Sequence, residues 1–328
     1  MTFPQSLEGR LSLPLIGSPM FIVSGPELVT EQCKAGVIGA FPALNARPQH
    51  VLDEWLTRIK EDLSAHAEAN PGAPVAPFAV NQICHASNQR LMSDMELCVK
   101  HEVPIIITSL RPPSEVVEAV HSYGGLVFHD VINERHARKA AEQGVDGLIL
   151  VAAGAGGHAG LLSPFALLRE VKQWFDGTVI LSGAMADGWA VAGALAMGAD
   201  LAYMGTRFIA TTEANASDAY KQMIVDISAK DVVYTSLFSG IHGNYLAPSV
   251  AAAGYDPENL PEADKSKMDF GSGADTAKKV WRDIFGGGQG VGVVHDIPST
   301  AELVERLRSE FADATDRFAQ RASSFPRG

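Results

Sequence analysis

The sequence predicts an α/β fold, a (β/α)8 barrel with a C-terminal cap or lid insertion, and three observations carry that expectation. From residue 12 to about residue 210, short apolar runs alternate with longer amphipathic stretches, the rhythm of a parallel sheet with crossover helices. The apolar runs number about eight at a spacing of roughly 25 residues, which suits a closed barrel. Several are apolar at nearly every position, as in Val103-Pro-Ile-Ile-Ile107 and Gly147-Leu-Ile-Leu-Val151, the pattern of strands covered on both faces. A chain of 328 residues holds such a barrel with additions. A doubly wound open sheet shares the rhythm but has fewer strands.

Taken in order, strands are expected over 13–16, 37–41, 78–81, 105–108, 126–129, 147–151, 179–182 and 201–204. Helices are expected over 27–34, 50–66, 90–100, 114–122, 134–143, 164–174 and 189–197. Gly36, Gly124, Gly144 and Gly198 follow four of these, where a helix C-cap favours a residue tolerant of φ > 0. After residue 210 the rhythm breaks. A helix is expected over 215–229, an irregular Gly-, Pro-, Ser- and Asp-rich segment over 230–280, the glycine-rich run Phe285-Gly-Gly-Gly-Gln-Gly-Val-Gly292, and a last helix over 300–322. Residues 1–212 and 285–328 would then form the barrel, and 213–284 a helical and irregular cap near its mouth, with a composition that permits a lid.

Composition narrows the function classes. With 46% hydrophobic and 20% charged residues this is an ordinary globular chain able to bury a large core. A formal charge of −12 disfavours nucleic acid or an anionic membrane as partner, and leaves a small, locally held ligand open. Cys33, Cys84 and Cys98 form no CxxC pair, so neither a disulfide framework nor a metal site is indicated. The N-terminus lacks a signal-peptide pattern and no apolar run reaches membrane-spanning length, so a cytoplasmic location is expected.

In a (β/α)8 barrel the C-terminal strand ends build the site. The sixth runs into Val151-Ala-Ala-Gly-Ala-Gly-Gly-His158-Ala-Gly160, a single imidazole among glycines and alanines. Glycine lets backbone approach a ligand closely, and a histidine of ordinary pKa titrates near neutrality. His158 is thus a catalytic or ligand-orienting group, or a residue on a tight turn. The other ends carry Gly17-Ser18-Pro19-Met20, Asn81-Gln82, His129-Asp130, Ser182-Gly183-Ala184 with Asp187-Gly188 behind it, and Met204-Gly205-Thr206-Arg207-Phe208. The last two fit a phosphate cradle, backbone amides at a helix N-terminus with the Thr206 hydroxyl, unless Gly183 and Gly205 only relieve crowding at the rim. His85 with Cys84 lies next to this face, His242 is a second candidate for an anion, and Trp55, Trp174, Trp189 and Trp281 read as packing anchors.

Pro14-Leu-Ile-Gly-Ser-Pro-Met20, Gly156-Gly-His158-Ala-Gly160, Leu181-Ser-Gly-Ala-Met-Ala-Asp-Gly188, Ala199-Asp-Leu-Ala-Tyr-Met-Gly-Thr-Arg-Phe208 and Gly288-Gln289-Gly290 together resemble the FMN-dependent nitronate monooxygenase family, which includes flavin-type enoyl-acyl-carrier-protein reductases and NAD(P)H:quinone reductases. The similarity runs over most of the chain, with Gly183-Ala184 where the family usually has Gly-Gly. The resemblance implies an FMN site drawn from Ser18, Met20, Asn81, Gln82, Gly156, Gly157, Ser182, Gly183, Ala184, Gly205 and Thr206, with Gln289 closing over the ring system and His158 as the substrate-facing catalytic residue. It implies oxidation of alkyl nitronates such as propionate 3-nitronate by O2 to a carbonyl compound and nitrite, with the cofactor carrying the redox step. The alternative is a reductase passing electrons from NAD(P)H to a quinone or enoyl thioester. A barrel that binds flavin without turnover is the third reading. The expected partner is a small-molecule substrate, nitronate or quinone, and a homodimer is left open.

Overall fold

Eight parallel strands curl until the first meets the second. The structure, a computed structural model, describes residues 3–111, 114–262 and 284–325. Its strands are β1 (Leu15–Gly17), β2 (Gly39–Pro42), β3 (Phe78–Cys84), β4 (Ile105–Leu110), β5 (Leu126–Val131), β6 (Gly147–Val151), β7 (Gly157–His158), β8 (Thr178–Ser182), β9 (Leu201–Met204), β10 (Val232–Thr235) and β11 (Gly243–Leu246). The main sheet runs β1-β9-β8-β6-β5-β4-β3-β2, and a parallel bridge from Ile16 to Ile38 closes it into a barrel. Gly17 N donates to the Ile38 carbonyl at 2.7 Å and Ile38 N to the Leu15 carbonyl at 3.0 Å, so neither edge is left unpaired.

The crossovers are α1 (Pro26–Lys34), α2 (His50–Ala69), α3 (Leu91–Lys100), α4 (Ser114–His121), α5 (Glu134–Ala141), α6 (Pro164–Val171) and α7 (Gly188–Ala196). A one-turn α8 (Thr206–Ile209), α9 (Asp218–Asp226), α10 (Ala247–Ala252) and the long α11 (Thr300–Ser323) follow. Local chemistry explains their ends. The Asn133 side chain accepts from His136 N ahead of α5, and Ser299 with Glu302 forms a reciprocal capping box on α11. The four glycines expected at C-caps have φ between +79° and +106°.

Strand alternation divides the core in two. Ile16, Ile38, Ala40, Ala79, Ile105, Ile107, Phe128, Ile149, Ile180, Leu201 and Tyr203 fill the barrel, while Leu15, Val80, Ile106, Val127, Leu148, Val179 and Ala202 pack against the helices. Among the expected anchors, Trp55 packs edge-on against Phe41 at 5.5 Å and Trp174 lies under the Arg138 guanidinium at 4.3 Å. Trp281 lies outside the described residues.

Two expectations need correction. The helix expected over 215–229 is α9, nine residues long, because Ser217 caps it by accepting from Tyr220 N and Ile227 is already extended. The stretch expected to be irregular holds β10 and β11, an antiparallel hairpin whose second strand pairs with β7, with Gly243 opposite His158 and Asn244 opposite Gly157. The pairing joins positions far apart in sequence, so no local pattern announced it. No described helix is long and apolar enough to cross a membrane.

Candidate active site

Counting by twos along each strand decides which predicted residues reach the barrel mouth. Asn81 is in step with Ala79 and faces inward, donating to Ser109 Oγ at 2.9 Å and to the Ile107 carbonyl at 3.2 Å. Gln82 faces outward, where its amide donates to Cys98 Sγ of α3 at 3.5 Å. Of that pair, only Asn81 lines the mouth. Ser182 is in step with Ile180 and Ser18 with Ile16, so both face in. Asp130 is in step with Phe128, while His129 points to the helix layer, bonded to Thr108 Oγ1 at 2.7 Å and pushed down to about 4 by burial.

The loops close over this layer in register. The Cβ position of Gly205 lies 3.2 Å from Ser18 Cβ and 3.5 Å from Met20 Sδ, which brings the first and last strand ends together. Gly183 has φ +133°, and a Cβ there would sit 2.7 Å from the Ala153 carbonyl, so the turn after β8 accepts no side chain. Ala184, also at positive φ, donates its N–H to the Gly154 carbonyl at 3.1 Å. The glycine-rich strap crosses above: Gly288 N donates to Thr206 Oγ1 at 2.9 Å, and Gln289 N to the Gly154 carbonyl at 2.9 Å. Gly156 lies beneath the strap, where a Cβ would be 2.9 Å from both Gly288 N and Thr206 Oγ1. Tyr220, stacked on Phe285 at 4.2 Å, donates to the Gly286 carbonyl and holds the strap's start.

Two motif residues turn out to be architectural. Asp187 caps α7 by accepting from Ala190 N at 2.7 Å, and Gly188 N donates to Glu310 of α11 at 2.8 Å. The amides of Gly188 and Ala190 are therefore occupied, as is that of Ala184, so the start of α7 is capped by protein groups. Arg207 is buried and pairs with Asp296 at 2.8 Å, tying the strand end to the C-terminal segment. A cleft of about 540 Å3 opens beside this end, lined in part by Ala184, Asp187, Lys230, Gln289 and Gly290.

His158 is held by the hairpin. Its Nε2 lies 2.7 Å from Ser239 Oγ, which in turn lies 3.0 Å from the Ile241 carbonyl oxygen. Burial pushes the ring down to about 4, away from the near-neutral value expected from sequence, because a cation there would lose its hydration. His158 is therefore a neutral imidazole at physiological pH. His242 is exposed and stacks on Tyr234 at 5.1 Å, and Tyr234 in turn donates to the Ala159 carbonyl at 2.9 Å. His85 is bonded locally to Ser87 Oγ at 2.8 Å.

Sequence reading missed Ser109, Tyr203, Ser239 and Asn244. Stepping by two from the inward isoleucines would have found the first two. Nothing local marks Ser239 or Asn244, whose amide donates to the Ala155 carbonyl at 2.6 Å.

The fold and mouth define a class, the (β/α)8 barrels whose glycine-rich strand ends cradle an organic cofactor above a polar inner layer. The nitronate monooxygenase family profile matches residues 9–310, and the chain belongs to that family. It is an oxidoreductase, and the family's cofactor is a flavin. A nitronate monooxygenase of Paraburkholderia phytofirmans is 27% identical, the alignment covering 94% of this chain and 95% of that one. FabK from Thermotoga maritima shares the fold with TM-score 0.78 at 22% identity, over 98% of this chain and 99% of that chain. Nitroalkane oxidase from Streptomyces ansochromogenes does so with TM-score 0.77 at 21% identity, over 96% and 100%.

The residues fit such a group. Gly183 leaves no room for a side chain, Ser18, Ser182, Thr206 and Asn81 would offer polar atoms, and Met20 would offer an apolar one. On the inner layer of the mouth, the buried Asp130 Oδ1 has no hydrogen-bond partner among the described residues.

Proposed function

We propose that this protein binds FMN and oxidises alkyl nitronates, of which propionate 3-nitronate is the model, with O2 to a carbonyl compound and nitrite. FMN would be held by Ser18, Met20, Asn81, Gly156, Gly157, Ser182, Gly183, Ala184, Gly205 and Thr206 with Gln289 above, and its chemistry there would be the uptake of electrons from the substrate. Of the expected 213–284 cap, residues 263–283 lie outside the described residues, and residues 213–262 would act as the cap of this site; the enzyme would work in the cytoplasm on a small-molecule substrate.

The neutral, half-buried His158 is the observation that carries the choice of substrate. A ring pushed down to about 4 is a weak base, since proton-transfer catalysis is best with a pKa near the working pH. Removing the α-proton of a neutral nitroalkane is therefore a poor task for it, whereas a nitronate arrives already ionised. His158 positions the substrate beside the flavin, a ring N–H donating to a nitronate oxygen and Ser239 holding the ring in place.

The test is anaerobic mixing of the purified protein with propionate 3-nitronate, nitroalkane, NADPH and NADH in turn. Flavin reduction by nitronate, and slower reduction by the neutral nitroalkane, is the expected result. Rapid bleaching by a nicotinamide with no nitronate response would replace this reading with the reductase, and a colourless protein that takes up no FMN would remove the flavin altogether. His158→Ala is expected to lower nitronate turnover about 100-fold with FMN still bound; a drop under about fivefold would remove its role.

A further inference from the structure

Asp130 stands at the inner end of a polar chain that the proposed chemistry does not use. Asn81 donates to Ser109 Oγ at 2.9 Å, and Ser109 Oγ donates to Asp130 Oδ2 at 2.6 Å. The other oxygen, Oδ1, is buried and makes no hydrogen bond among the described residues. Across the barrel, Tyr203 of β9 lies close enough for the Asp130 charge to be felt, and its hydroxyl bonds to Ser18, the residue after β1. From the elements packed on β5, β4 presents Ser109 and β6 presents the apolar Ile149 and Val151. The titratable His129 and His136 belong to the helix-side layer. No Lys or Arg pairs with Asp130 among the described residues. A carboxylate held by one oxygen and bare at the other, in a cofactor cradle, is unstable unless something completes it.

We propose that Asp130 is a cofactor-binding residue whose Oδ1 accepts a hydrogen bond from an N–H or O–H donor of the bound flavin, with Ser109 and Asn81 as the positioning residues that aim it. This rests on the flavin reading of the site and goes beyond the residues named there. Two kinds of flavin donor have the required chemistry, the ring imide N–H and a ribityl hydroxyl. Because burial raises Asp130 to about 6, with Ser109 drawing it back, the acceptor changes charge within an accessible pH range.

The experiment uses flavin-loaded protein and its Asp130→Asn and Ser109→Ala variants, with folding checked by circular dichroism. Visible spectra are recorded from pH 5 to 8, and Kd is measured by fluorescence quenching for FMN and for riboflavin, which lacks a titrating phosphate. The wild type is expected to bind riboflavin about tenfold more weakly at pH 5 than at pH 8, because a charge-assisted hydrogen bond is stronger than a neutral one. Asp130→Asn should bind about tenfold more weakly than wild type at pH 8 and lose the pH dependence. Ser109→Ala, lacking the bond that stabilises the carboxylate, should move the midpoint upward, which a merely structural role would not do. A spectral shift that titrates with the affinity assigns the donor to the ring; an affinity change without one assigns it to the ribityl chain. Unchanged affinity and spectrum in Asp130→Asn would overturn the proposal while leaving the flavin reading intact. Failure of the wild type to bind either flavin would overturn both. Neither result depends on which substrate is oxidised.

Discussion

Gly288→Ala tests whether the strap is fixed by backbone contact. A Cβ at 288 would lie 2.6 Å from the Gly154 carbonyl oxygen and 2.8 Å from Gly156 N, both backbone atoms that no rotamer change can move. Reaching ordinary contact at about 3.4 Å requires the strap to lift by roughly 0.8 Å. That movement weakens the Gly288 N–Thr206 Oγ1 and Gln289 N–Gly154 O bonds, each 2.9 Å. Overpacking of this kind costs about 1–3 kcal/mol and each strained bond about 1 more, so a loss of about 3 kcal/mol is expected. Gly286 supplies the control, because the nearest atom to its Cβ is 3.7 Å away and neither position has positive φ. Gly286→Ala should then change stability by under about 0.5 kcal/mol. Urea unfolding of both variants, with FMN titration alongside, reads the difference, and the Gly288 variant should also bind FMN more weakly. Equal unfolding midpoints for the two variants would refute the close strap contact and the role given to Gln289.

The Arg207–Asp296–Arg306 group separates a buried pair from an exposed one. Asp296→Ala leaves Arg207, which is 2% exposed, without its anion and should cost about 3 kcal/mol, whereas Arg306→Ala removes an exposed arm and should cost under about 1, both measured by urea unfolding. Stability against pH follows from linkage. His129 and His158 are pushed to about 4, below the ordinary 6.5, so between those values the unfolded chain binds more protons and their contribution falls as pH drops. Asp130, raised to about 6, has the opposite sign: the folded chain binds more protons between about 4 and 6, and stability is lost as pH rises through that range. Flavin-free Asp130→Asn should therefore gain stability over wild type at pH 8 and lose it more steeply between pH 6.5 and 4; parallel curves would show that Asp130 is not buried as a charge.

What the sequence determined by itself was the barrel and the location of its mouth. Eight apolar runs of similar spacing have few ways to bury both faces, and Gly156 to Gly160, Gly183 and Gly205-Thr206 fall at strand ends where only small or backbone-bonding residues serve. Even the choice between Asn81 and Gln82 was implicit, since alternation sends one inward and the other to α3. Tertiary structure alone decided how His158 is held and charged. Ser239 reaches it from 81 positions away through a hairpin whose register is set by pairing with β7, and burial then makes the ring neutral. Asp187 and Arg207, which stand within the strand-end motifs, serve as a helix cap and a staple for the same reason. Strand period and glycine placement are local properties written residue by residue, whereas a partner, a burial and a pKa belong to pairs of residues that meet only when the chain has closed.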